Sequence, residues 1–182
     1  MGECFLIANI DKRQYLSAGS MNENPKRSGF LRGLHGRALA LLMCKSDELR
    51  HGYGSLAGSW YGDRVIGVGD QNGVADVYGV ATSSEDRPGR TLHELARETY
   101  EDISLAALAM LCSGDDRVVE ALVDAAAEGT NAAMLLVGDL VFVAGSSEID
   151  EVMRKRFGKK WAGRYRRACE ESSTRQQMAR PK

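Results

Sequence analysis

Three aspartates sit beside glycine in similar settings: Asp63 in Gly62-Asp63, Asp70 in Gly69-Asp70 and Asp139 in Gly138-Asp139. Carboxylates gathered at one end of a sheet can hold magnesium or act as general acid and base. Taken singly, an aspartate in a Gly-Asp dipeptide is a turn former, because its short side chain bonds the neighbouring backbone. The stretches after Gly62-Asp63 and Gly138-Asp139 echo each other: each continues with a β-branched or aromatic run and then a glycine. If the two copies lay side by side, Asp63, Asp70 and Asp139 would form the site of a small metal-dependent hydrolase or nucleotide-binding enzyme.

The second chemistry-bearing stretch is basic. Arg154, Arg156, Lys159, Lys160, Arg164 and Arg167 are interleaved with Trp161 and Tyr165. Cations in such a segment neutralise phosphates or carboxylates, and exposed aromatics stack on unpaired bases. The same pattern suits an anionic membrane surface, or docking on the acidic part of this chain or of a neighbouring copy. A smaller cluster, Lys26, Arg27 and Arg32, precedes a helical pattern and would favour an anion at the helix start. It is not a phosphate-binding loop, because no Gly-Lys-Ser/Thr follows its glycines.

Other patterns fail on inspection. Gly67-Val68-Gly69 lacks the third glycine and the following helix of a dinucleotide fingerprint. Asp70, Asn72 and Asp76 lack the closing glutamate of a calcium loop. His35, His51 and His93 belong to no HxxH, HExxH or related spacing, and GxSxG is absent. No cofactor is implied. Trp60 and Tyr61 are either core residues or the wall of a small-ligand pocket.

The elements that must position these groups belong to a chain of 182 residues, one domain by length, with 43% hydrophobic and 27% charged residues. The net charge of −1 hides a split. Residues 153–182 carry 11 Lys/Arg against 2 Asp/Glu, whereas residues 1–152 carry 13 against 23. Segregation of this kind marks an interacting segment. The four cysteines are widely spaced without CxxC, as expected of free thiols in a reducing compartment. Neither a long apolar run nor a secretory leader is legible, so the expected location is cytoplasmic.

Residues 4–10 are a continuous apolar run, read as a buried strand. Residues 58–81 are read as a meander of Trp60-Tyr61, 64–69 and 74–81. Residues 132–137 and 140–144 are read as a second hairpin across Gly138-Asp139. Helical periodicity covers 31–45, 91–112 and 115–128, with a capping box at Thr91 and Glu94. The second stretch is one long helix or two broken near Asp102, and Asp115 or Asp116 caps the third. From 147 to 171 apolar residues recur every four positions, with Gly158 and Gly163 as possible breaks. The expected fold is therefore α+β, with an antiparallel or mixed sheet of about five to six strands and helices packed on it. The expected division is a core at 1–146, a basic amphipathic helical segment at 147–171 and a disordered tail at 172–182. The leading functional expectation is a non-catalytic binding or assembly protein. Its basic segment, 153–167, would engage nucleic acid, another protein or a second copy. The hydrolase and the small-ligand binder stand as alternatives.

Overall fold

The apolar run becomes the inner strand of a sheet because both of its faces are covered. In a computed structural model describing residues 4–24, 26, 33–45, 51–71, 91–128 and 131–178 (no side chains at 175–178), β1 is Phe5–Asn9. It pairs antiparallel with β2, Gln14–Ser17, and with β3, Val65–Gly69. The two-residue β4, Glu101–Asp102, adds in parallel to β2, giving the order β3-β1-β2-β4. Alternation along β1 sends Leu6 and Ala8 to one face and Ile7 to the other. The first face forms a core with Tyr15, Val68, Leu92, Leu95, Ala96 and Tyr100. It is roofed by α2, Leu92–Thr99. The second face carries the Ile7–Leu16 pair. There α1, Leu34–Met43, contacts β2 and buries His35, Ala38 and Leu42. The protein is α+β, with a mixed sheet of four strands among the described residues and helices packed on it.

Two compact units divide within α3, Ser104–Gly114: Met1–Met110 and Leu111–Lys182. The expected boundary at 146 thus falls inside the second unit. The first unit holds the sheet, α1 and α2. The second is helical: α4 is Asp116–Ala127, α5 Asn131–Phe142, α6 Ser147–Phe157 and α7 Trp161–Met178. Helix α5 packs against α4, α6 and α7. Local signals hold at several ends. Thr91 Oγ1 accepts from the Glu94 N–H, and the Glu94 carboxylate accepts from the Thr91 N–H, both at 3.1 Å. Asp115 caps α4 through the Arg117 N–H at 3.0 Å. Asp102 stops the helix expected over 91–112, turning aside as β4 and accepting from the Ser104 N–H at 2.9 Å to start α3. Gly158, at φ +69°, ends α6.

Four expectations are corrected. The hairpin over 132–144 is the helix α5. Its buried residues include Ala133, Met134, Leu136, Val137, Gly138 and Leu140, so it is apolar almost all round, as a helix enclosed by others must be. Gly138 is no turn: a Cβ there would lie 2.0 Å from the Tyr165 ring, so its missing side chain makes room for α7. The segment Trp60-Tyr61 is no strand either. It closes the end of α1, where the Gly58 and Trp60 N–H groups donate to the Leu41 and Leu42 carbonyls at 2.8 and 2.9 Å. Strand β2, Gln14–Ser17, lies where the sequence pattern marked no strand. Helix α7 runs on through 172–178, where a disordered tail was expected. The strand expected over 74–81, and the cations Arg27 and Arg32, lie outside the described residues; Lys26 is exposed and bridges to Cys4.

Candidate functional site

Two depressions among the described residues gather polar side chains. One is a cavity of about 260 Å³ in the first unit, on the α2 face of the sheet. Its walls are Cys4, Phe5, Leu6, Tyr15, Ser17, Gly19, Ser20, His93 and Arg97. Strand alternation and the Leu6–Ser17 pairing bring Leu6, Tyr15 and Ser17 to that side, Phe5 alternating to the Ile7 face. His93 and Arg97 stand one helical turn apart on α2, four residues being the spacing that puts side chains above one another.

A hydrogen-bonded rim holds the cavity's serine-rich turn. Ser20 Oγ donates to Asp102 Oδ2 at 2.8 Å, and Ser104 Oγ donates to Asp102 Oδ1 at 2.5 Å. The Ser17 N–H donates to Ser104 Oγ at 2.8 Å. Burial, then the charge and hydrogen bond of Asp102, push the Tyr15 phenol above its ordinary value. Burial and the neighbouring Arg97 hold His93 below its ordinary value, against the opposing pull of Asp70 and Glu94. The imidazole is accordingly neutral at pH 7, and Arg97 forms no ion pair with a carboxylate among the described residues.

The other place is a cleft of about 190 Å³ in the second unit, lined by Ala126, Asn131, Met134, Arg164, Arg167, Ala168 and Glu171. Asn131 Nδ2 donates to Glu171 Oε2 at 2.5 Å across it. Arg164 and Arg167 belong to the basic segment singled out in the sequence, and with Lys160 they follow an i, i+4, i+7 spacing along one side of α7.

The rest of that segment divides by partner. Arg154 is paired to Asp150 at 2.8 Å, Lys155 to Glu151 at 2.7 Å, and Arg156 to Asp124 of α4. Lys159, Lys160, Arg166 and Arg167 are exposed, and neither they nor Arg164 form an ion pair among the described residues. The Arg164 guanidinium lies 4.7 Å from the Phe157 ring centroid. The aromatics, expected to meet a partner, turn inward. Trp161 is 2% exposed and its indole donates to Asp150 Oδ1 at 3.2 Å. Tyr165 donates to Asp139 Oδ1 at 2.8 Å. Both rings stack on Phe142 at 5.2 Å, with interplanar angles of 24° and 23°. The four-residue ridge is the packing face of α6 and α7, with Ile149 and Met153 fully buried on it.

The three aspartates are dispersed. Asp63 precedes β3 and Asp70 follows it, so a strand about 17 Å long separates them at 3.3 Å per residue. Asp63 accepts from Asn9 Nδ2 at 2.8 Å and pairs with Lys12 at 3.2 Å. Asp70 accepts from the Cys4 N–H at 3.1 Å. Asp139 lies in α5, in the other unit, committed to Tyr165. Each therefore has a local structural partner, and no group of three or more potential metal ligands exists among the described residues. Trp60 is completely buried in the core, its indole donating to Gln14 Oε1 at 2.9 Å. Tyr61 is exposed, with Lys45 over its ring at 5.3 Å.

Sequence reasoning missed the cavity residues and one buried pair. His35 Nδ1 lies 2.5 Å from Glu23 Oε2, and Glu23 also accepts from the Leu34 and His35 N–H groups at 2.6 and 3.0 Å. Burial works to raise Glu23, but these bonds outweigh it and hold its carboxyl below the ordinary value. Glu23 thus caps α1 from a distant loop. All four cysteines are free thiols, and burial pushes Cys112 up to about 12. Among the described residues no helix is long and apolar enough to cross a membrane. Neither protein-family models, curated proteins nor solved structures give a match to this chain.

Proposed function

We propose that this is a non-catalytic binding or assembly protein whose basic second-unit surface engages an acidic partner. The carrying observation is the run of cations without carboxylate partners among the described residues, Lys159, Lys160, Arg164, Arg166 and Arg167, beside a cleft that two of them line. Their position adds weight. They crowd the N-terminal half of α7, whose first turn has no acidic residue. A helix dipole disfavours cations at that end by about 0.3–1 kcal/mol each. Ion pairs that would offset the repulsion are present on α6 and, among the described residues, missing here. An anionic partner supplies the missing charge.

The inward packing of Trp161 and Tyr165 narrows the mode of binding. Base stacking on these rings would require dismantling the Phe142 stack, so the partner is met through charge, at phosphates or carboxylates. The test is fluorescence anisotropy of the full chain with a labelled DNA duplex and, separately, a labelled polyglutamate peptide, over a range of salt. One probe should bind, with affinity falling as salt rises. Replacing Lys160, Arg164 and Arg167 together by Gln should flatten a DNA salt slope by about three, one per lost phosphate contact. A folded triple variant that binds both probes as the parent does would refute the proposal, as would a parent that binds neither.

A further inference from the structure

The cavity on the α2 face has no part in the basic surface, and its chemistry is different. One wall is apolar: Leu6 and the Tyr15 ring. Facing groups are donors: the Arg97 guanidinium, the His93 imidazole and the hydroxyl of Ser17. An apolar floor with a few converging polar groups is the general form of a small-molecule site. We infer that this cavity binds a small organic carboxylate, its acid group on Arg97 and His93 and its apolar body against Leu6 and Tyr15.

Several features select that class. The cavity, at about 260 Å³, lies just below the range of about 300–1,000 Å³ typical of drug-sized ligands, so its occupant is small. Arg97 is the one cationic side chain on the wall, and its planar fork matches a carboxylate in two parallel hydrogen bonds. The surrounding charge argues against a dianion. Asp102 is bound into the rim by Ser20 and Ser104, and Asp70 accepts from the backbone of Cys4. These two carboxylates outnumber the single guanidinium, so a second negative charge on the ligand is disfavoured. Neutral His93 adds a hydrogen bond without competing for the ligand's proton.

The rim also explains how the site is kept in shape. Ser17 and Ser20 bracket the turn at Gly19, and both are tied to the Asp102–Ser104 corner, directly or through the backbone. The donors therefore need little ordering on binding, which lowers its entropic cost. Cys4, half-buried on the wall, reports on occupancy because a ligand over Leu6 shields its thiol.

The probe is benzoate, added to the full chain, with benzamide as its uncharged counterpart and inorganic phosphate as the dianion. Benzoate should shift the amide resonances of Leu6, Ser17, Gly19 and His93 saturably, with Kd on the order of 1 mM for so small a ligand. It should slow alkylation of Cys4 by iodoacetamide, read by peptide mass spectrometry, while leaving exposed Cys44 unprotected. Benzamide should bind at least about tenfold more weakly, as should Arg97→Gln, the loss of one charged hydrogen bond or more. Arg97→Lys keeps the charge without the fork and should fall between, and thermal melting checks that both variants fold. Absence of saturable shifts, unchanged binding by either folded variant, or tighter binding of phosphate than of benzoate would each overturn the inference. These readouts lie in the first unit, so failure here leaves the salt-dependent binding of the second unit untouched, and the reverse.

Discussion

Gly62-Asp63 and Gly138-Asp139 are the same dipeptide put to opposite uses. Gly62 stands at φ +83° in an open turn, where a Cβ would meet nothing within 4 Å. What it supplies is a left-handed backbone. Gly138 lies within a helix, where glycine is unfavourable by roughly 1 kcal/mol relative to Ala. It supplies space for the Tyr165 ring. The aspartates follow suit. Asp63 anchors a buried asparagine between a strand and a turn, and Asp139 anchors a phenol between two helices. A dipeptide has a conformational preference, but its neighbours in space decide whether that preference is used.

The contrast can be broken by substitution. Gly138→Ala should be the most damaging change, by about 3 kcal/mol, because the body of an aromatic ring must move. Its cost should largely vanish in a Tyr165→Ala background, a coupling read from a double-mutant cycle in urea. Gly62→Ala should cost about 1–2 kcal/mol from backbone strain, and Gly62→Asn much less, since Asn tolerates the left-handed region. If Gly138→Asn were equally mild, the two glycines would not differ in the way described.

A smaller difference separates the aspartates. Asp63→Ala leaves the Asn9 amide, fully buried, without its acceptor and should cost about 2 kcal/mol in thermal or chemical melts. Asp139→Ala frees a half-buried phenol that water can reach, and should cost about 1 kcal/mol. Equal costs would mean that burial does not set the scale here.

The smallest expected effect lies at high pH. Burial, then the hydrogen bond to Asp139 and the proximity of Cys169, raise the Tyr165 phenol well above its ordinary 10.0. A raised folded value means that the stabilisation is complete below pH 10 and is lost as pH climbs toward that value. Asp139→Asn removes a negative charge from beside the phenol, so the tyrosinate absorbance of Tyr165 should develop at lower pH. A titration that does not move would show that Asp139 leaves the phenol unperturbed.

Legibility followed the range of the interaction. The Thr91–Glu94 box and the cap at the start of α4 are settled within a few residues and could be read directly. The break near Asp102 is one of two alternatives the sequence allows, and Gly158 one of two possible breaks, Gly163 lying inside α7. The α5 helix could not, because a segment apolar on nearly every side has no periodic signature to set against a Gly-Asp turn signal. Nor could β2. Its four residues, Gln14-Tyr15-Leu16-Ser17, bury their middle pair on opposite faces and so show no alternation. The cavity was illegible for a stronger reason: Cys4, Ser17, Ser20, His93 and Arg97 come from distant stretches, and none carries a motif.

The chain by itself determined the α+β class, the inner strand, the principal helix caps and the basic character of residues 153–167. These follow from composition, local periodicity and short-range hydrogen bonds, which need no partner far along the chain. Only the tertiary structure decided that Trp161 and Tyr165 face inward, that Asp63 and Asp70 stand at opposite ends of one strand, and that a lone guanidinium overlooks an apolar cavity. Those outcomes depend on which surfaces meet, and burial of apolar area is non-directional until the packing of whole elements gives it a direction.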